Sequence, residues 1–135
     1  MTVWHGRKGK KFTGGKLIQV RKKRKFELGR MPILVKIGKD ERENIRTKGG
    51  NLKVRATSVE FANVLDPSTK KMQKTKILDV LENPANPQLV RSKIITKGAI
   101  IKTEIGNARV TSRPTQHGIV NAVVLTAGEK KRELS

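Results

Sequence analysis

Cysteine and tyrosine are absent from this sequence, and its aromatic residues are only Trp4, Phe12, Phe26 and Phe61. Without cysteine there is no disulfide, no thiol nucleophile and no zinc site built on thiolates. The two histidines, His5 and His117, lie at opposite ends of the chain. Neither has a ligand-spaced partner, so both read as surface or loop residues and no metal is expected. So thin an aromatic set excludes a sheet of the RRM type, which stacks single-stranded RNA on aromatic platforms. Long apolar runs are missing as well. The longest clusters, Ile94-Ile95, Ala99 to Ile101 and Ala122 to Leu125, fit strands and fall far below the roughly 18 residues of a membrane span. The opening residues, MTVWHGRKGKKF, carry no apolar stretch of a secretory signal. The expectation is a mature N-terminus on a soluble chain with no membrane partner.

Acidic residues are scarce too: 11 Asp+Glu stand against 31 Lys+Arg in 135 residues, a formal net charge of +20. The length suits one domain. The charge makes the molecule repel itself unless a polyanion neutralises it, and nucleic acid does so with release of condensed counterions. Eleven of the cations fall within residues 1–30 against the single acid Glu27. Such a segment cannot bury enough apolar surface to offset its ordering entropy. Residues 1–30 are therefore expected to form a basic arm, disordered without RNA, with 16–28 as a nascent helix. Glycines 6, 9, 14 and 15 oppose helix before that.

From Met31 the texture changes to short apolar runs with many β-branched residues, punctuated by turn signals. ILVKI (33–37) and ENIRT (43–47) read as strands, the second ended by Gly49-Gly50-Asn51, which supplies positive φ for a tight turn. LKVRATSVEF places Leu52, Val54 and Ala56 on one face and Lys53, Arg55 and Thr57 on the other. Its apolar phase slips at Val59 and Phe61, which predicts a bulge or bend near Ser58. LDPSTKKMQK (65–74) reads as a loop, TKILDVLE as a strand, NPANP as a loop and LVRSKIIT as a strand. AIIKTEI and ARVTSR read as a hairpin turning at Gly106-Asn107, and RPTQHG as a turn into the strand IVNAVVLTA. Short strands with polar turns and no amphipathic helix predict an all-β domain, most economically a small closed or nearly closed β-barrel over residues 31–127. Closure removes exposed sheet edges. Residues 128–135 read as a short charged tail.

The stretch GKKFTGGKLIQVRKKRK (9–25) has the look of a phosphate cradle. A nucleotide-binding P-loop requires G-x-x-x-x-G-K-[ST] after a buried strand. Gly9 and Gly14 have that spacing, but Gly15 stands in the place of the lysine, and moving Lys16 into register leaves Leu17 where the magnesium-binding hydroxyl belongs. The surviving reading is that Thr13-Gly14-Gly15-Lys16 lets the backbone approach a phosphate strand while Arg21 to Lys25 grip it. Trp4, Phe12 and Phe26, spaced among the arm's lysines, either wedge into a folded RNA surface or staple the arm. The acids interleave with bases or stand alone on strands, where cross-strand ion pairs explain them, so no catalytic constellation emerges. The reading is of a protein that is not an enzyme and needs no cofactor, and that recognises nucleic acid by shape and backbone. On charge alone a DNA-compacting protein competes with an RNA-binding one.

The strings TGGK…RKKRKFELGR, KGGNLKVRA and ENPANPQLVRSKIITKGAIIKTEIGNARVTSRP closely resemble the eukaryotic/archaeal-type family of ribosomal protein eight of the small subunit. The resemblance runs from Trp4 to Leu125, and the short length resembles the archaeal form. It implies a β-barrel on small-subunit ribosomal RNA with a basic extension threaded into it. It also implies neighbouring ribosomal proteins as partners, a cytoplasmic location in the small subunit, and a monomer when free. A related ribosome-assembly factor shares the barrel but resembles a longer protein with helical extensions. The residues that the resemblance makes RNA-facing are Arg7, Gly14, Gly15, Lys16, Arg21, Lys22, Lys23, Arg24, Lys25, Arg30, Gly49, Gly50, Asn51, Lys53 and Arg55. The arm's charge adds Lys8, Lys10 and Lys11. One departure is Arg113-Pro114-Thr115-Gln116-His117-Gly118, where the family pattern has RPGQ followed by Asp and Gly. Thr115 there favours a type I over a type II turn. The failed P-loop match yields a direct expectation: titration with Mg-ATP or Mg-GTP at millimolar concentration shows no saturable binding.

Overall fold

The computed structural model of the chain describes residues 3–4, 9–18 and 21–125, the first two as backbone only. The charged tail expected at 128–135 lies outside the described residues. The chain divides into two compact units, Met1–Pro32 and Ile33–Ser135.

In the first unit, β1 (Val3–Trp4) pairs antiparallel with β2 (Leu28–Gly29) in the register Val3 to Gly29 and Trp4 to Leu28. Between them lie an isolated antiparallel bridge, Lys10 to Lys16, and a 3-10 turn over Lys25–Glu27. The helix expected over 16–28 is therefore reduced to that one turn among the described residues. An α-helix would stack Arg21 on Lys25, a like-charge pair at i,i+4 that opposes it. The chain instead folds Glu27 back, where its Oε2 accepts the Arg24 N–H at 3.0 Å.

The second unit contains β3 (Val35–Ile37), β4 (Glu41–Arg46), β5 (Leu52–Val59), β6 (Phe61–Asp66) and β7 (Lys71–Glu82). A single helical turn, α1 (Gln88–Arg91), precedes β8 (Ile94–Ile95), β9 (Ile100–Thr103) and β10 (Asn107–Val110). A second, α2 (Pro114–His117), leads to β11 (Asn121–Val124). The order β10-β11-β6-β7-β9 is a closed barrel, and β4-β5-β3-β8 is a four-stranded sheet. Parallel pairing of β11 with β6 closes the ring, the other barrel pairs being antiparallel. The all-β class and the closed barrel read from the sequence are both present.

Inward positions repeat with the strand period of two. Ala62 and Val64, Ile77 and Val80, Ile101, Ala108 and Val110, and Ala122 are each at most 4% exposed. Alanines recur among them because a five-stranded bore is too narrow for a large side chain at every position. The step of three from Ile77 to Val80 spans a register shift that keeps both residues inside. A similar shift sits where Glu41 faces Ser58 and Arg42 faces Ala56, which is the bulge anticipated near Ser58.

Several local readings shift. The loop expected over 65–74 is a four-residue turn joining paired strands. Asp66 Oδ1 accepts from Ser68 N (3.0 Å) and Ser68 Oγ (2.7 Å), and Oδ2 accepts from Thr69 Oγ1 (3.0 Å). These bonds close the turn and hold the Asp66 carboxyl below its usual pKa. The hairpin turn expected at Gly106-Asn107 falls on Glu104-Ile105, because Asn107 pairs with Lys102 and Thr103 Oγ1 donates to Gly106 O at 2.7 Å. LVRSKIIT begins as α1 and becomes strand only at Ile94. RPTQHG is one helical turn with Pro114 at its start, the αR geometry that Thr115 favours, and the positive φ falls at Gly118 (73°).

At Gly118 the chain lies against β5. An added Cβ would stand 2.7 Å from Val54 Cγ1, 3.2 Å from Val54 Cβ and 3.5 Å from the Val54 carbonyl carbon. Both the left-handed φ and the missing space demand glycine. Gly118→Ala is expected to cost about 1–3 kcal/mol of unfolding free energy. Gly15→Ala, whose added Cβ meets nothing within 4 Å, should leave the urea midpoint unchanged. Equal midpoints for the two variants would show that the Val54 contact is not made.

Candidate nucleic-acid interface

The glycine-rich stretch does not form a nucleotide cradle. Gly14 N–H donates to Lys11 O (2.9 Å) and Lys11 N–H to Gly15 O (2.8 Å), so the stretch closes on itself as a turn over Phe12-Thr13. Gly14 takes φ 85°, the left-handed position of a three-residue hairpin loop. The bridge then sets Lys10 directly across from Lys16, a repulsive pair of like charges. The faces of Gly14 and Gly15 are open, with nothing within 4 Å of where a side chain would start. Phe12 is fully exposed and Phe26 is 76% exposed, so neither ring staples the arm by burial.

The second basic stretch folds around its one acid. Glu27 receives a two-pronged contact from the Arg21 guanidinium, Nη1 to Oε2 at 2.9 Å and Nη2 to Oε1, while the Arg24 N–H caps it. The Arg21 hydrogen bonds first, and the Arg24 N–H second, hold the Glu27 carboxyl down to about 2, and the pairing raises the Arg21 guanidinium. Arg21 is thus engaged within the turn. Lys22, Lys23, Arg24, Lys25 and Arg30 are exposed around it, as are Lys10, Lys11 and Lys16 on the first turn. Arg7 and Lys8 lie outside the described residues.

In the other unit the expected residues gather at the β4–β5 hairpin. Gly49 (φ 77°) and Gly50 (φ 79°) turn the chain, and Thr47 N–H closes it on Asn51 O at 2.7 Å. Asn51 spends its side chain on the turn, Nδ2 donating to Lys48 O at 3.3 Å. Lys53 and Arg55 are half-buried, facing Ile45 and Glu43 across the strand pair. Two exposed cations at this tip, Arg46 and Lys48, were not singled out from the sequence. Their signal was position, flanking a double glycine. Leu52 is 71% exposed and Val54 37%, against the expectation that both are core-facing. The hairpin runs past the hydrophobic core, so only Ala56 of that face is buried. Among the described residues, no group of three or more His, Cys, Asp or Glu is placed to hold a metal ion, and no helix is long and apolar enough to cross a membrane.

Self-closed basic turns suit a polyanion, and comparison with known proteins narrows which. The family description "Ribosomal protein S8e" matches residues 4–125. The chain belongs to the ribosomal protein S8e family. It is 50% identical over 123 residues to the small ribosomal subunit protein eS8 of Methanocorpusculum labreanum, covering 91% of this chain and 98% of that one. With the eS8 protein of Methanoculleus marisnigri it shares 50% identity over 122 residues, 90% of this chain and 98% of the relative. The S8e match spans both units, arm and barrel alike.

The Glu27 turn carries a pH dependence of definite sign. Because its carboxyl is depressed in the folded turn, the pairing contributes fully above the usual value of 4.5 and fades as pH falls through about 2. A carboxyl-detected NMR titration is expected to place Glu27 well below the usual value of 4.5, and Glu27→Gln should abolish the shift of Arg24 N–H with pH. An ordinary carboxylate midpoint at Glu27 would mean the fork is not formed.

Proposed function

We propose that this chain, a structural constituent of the small ribosomal subunit, holds folded ribosomal RNA at two basic elements, the N-terminal arm and the β4–β5 hairpin tip. Membership of the S8e family supports the subunit, and exposed cations on self-closed turns support the mode. Lys8, Lys10, Lys11, Lys16, Lys22, Lys23, Arg24, Lys25 and Arg30 contact phosphates, together with Arg7. Arg21 reaches a phosphate only by exchanging Glu27 for it. Gly14 and Gly15 admit the RNA backbone closely. At the hairpin, Lys53 and Arg55 contact the backbone, joined by Arg46 and Lys48, while Gly49, Gly50 and Asn51 shape the tip that presents them. The role is structural and not catalytic, with recognition through backbone and shape. It uses neither cofactor nor metal.

The arm orders as a whole when RNA neutralises it. No apolar side chain is buried among the described residues 9–18 and 21–32, so its turns rest on local bonds. The free protein is a monomer, kept apart from its copies by a net charge of +20. In the cytoplasm its partners are small-subunit rRNA and adjoining ribosomal proteins.

Salt dependence tests the reading. With about six to ten phosphates contacted, affinity for a small-subunit rRNA transcript falls about 10³- to 10⁵-fold between 50 and 200 mM salt. Deleting residues 1–30 flattens that slope while the barrel stays folded, and Lys48→Ala or Lys53→Ala each lowers it by about 1. A slope unchanged by the deletion would remove the arm from the interface.

A further inference from the structure

Among the described residues, the most exposed large apolar side chain is Phe12, at 100%. It stands at the tip of a turn fixed at three points: the Gly14 N–H on Lys11 O, the Lys11 N–H on Gly15 O, and the left-handed φ of Gly14. The turn sets the ring's place locally, so the ring itself adds little to the ordering cost that the arm as a whole meets on binding. Around it are Lys10 and Lys11 on one strand and Lys16 on the other, with Lys10 and Lys16 directly opposed. That opposition costs free energy in the isolated protein and is relieved by an anion placed between the two ammonium groups. The partner must therefore present a flat apolar face to the ring and negative charge on either side of it. A nucleotide in an RNA strand does both, since its base has a π-face and its flanking phosphates lie a few ångströms away.

We propose that Phe12 is a base-stacking wedge: its ring lies against an unpaired or helix-terminal base of the rRNA while Lys10, Lys11 and Lys16 hold the adjoining phosphates. This deepens the RNA-binding reading and rests on it. The wedge divides labour within one turn. The lysines provide affinity that any phosphate backbone satisfies, and the ring selects places where a base is free to stack. Duplex RNA offers such places only at ends, bulges and junctions, so the wedge biases the arm toward irregular points of a folded RNA.

The test uses the full chain and a transcript of small-subunit rRNA, with dissociation constants measured by filter binding at several salt concentrations. Phe12→Ala and Phe12→Leu are expected to weaken binding by about 5- to 100-fold at every salt, the range of a lost stacking contact, with the salt slope unchanged. Phe12→Trp should retain or tighten binding, and Lys16→Ala should lower the slope by about 1. Because the ring is fully exposed, the barrel's urea midpoint should be the same in all variants. Wild-type affinity in Phe12→Ala overturns the wedge, and so does wild-type affinity in Phe12→Leu, since an aliphatic side chain would then suffice. If Phe12→Ala binds RNA normally but enters reconstituted subunits poorly, the ring docks on a neighbouring protein and the proposal is wrong. Failure of the wild-type chain to bind the transcript would instead defeat the underlying RNA reading.

Discussion

Glu60 is the single residue between the end of β5 and the start of β6, where the chain leaves the four-stranded sheet and enters the barrel. Its N–H is held by Asp40 Oδ1 at 2.7 Å, and its carboxylate meets Lys76 Nζ at 2.9 Å. The same corner is laced by Ser58 Oγ donating to Lys39 O and Thr57 Oγ1 to Glu41 O. This corner, with the core that Val35, Ala56 and Val59 share with the barrel's inward residues, fixes the relation of the two sheets within the second unit. Asp40 does the work of a backbone partner at the point where strand pairing lapses.

Three other acids are used in the same way. Asp66 closes the β6–β7 turn, Asp79 accepts its neighbour's N–H and pairs with Lys93, and Glu27 closes the arm's second turn. Glu27, Asp40, Asp66 and Asp79 each accept a backbone N–H, and most of the cations face outward. The surface that results is cationic by subtraction. Exposed ion pairs contribute little to stability, so the fold rests on the filled bore of the barrel and these anchored turns. The RNA supplies the charge balance that the protein itself does not.

Much of this was legible in the residues. Gly49 and Gly50 announced a hairpin because two successive left-handed positions admit little else, and the phase slip at Val59 announced the bulge because apolar side chains must stay inside. Other features depended on partners distant in sequence or on side-chain chemistry that no period encodes. Thr103 holds its turn two residues earlier, with both its N–H and its hydroxyl on Gly106 O. Leu52 and Val54 obeyed the strand alternation but ran beyond the core that would have covered them. At the interface, the density of the basic arm was plain, yet the engagement of Arg21 by Glu27 was not, since side chains six residues apart touch in neither a helix nor an extended strand. The brace that Asn51 Nδ2 gives its own turn through Lys48 O was likewise not legible.

The close approach of Gly118 to Val54 gives the β4–β5 hairpin the mechanics of a cantilever. It is clamped three residues from the tip, by a glycine with no room to yield, and only the last turn projects freely. A beam so short bends little under load. A displacement of the tip is therefore passed to α2 through Gly118, so the hairpin and that turn move as one lever.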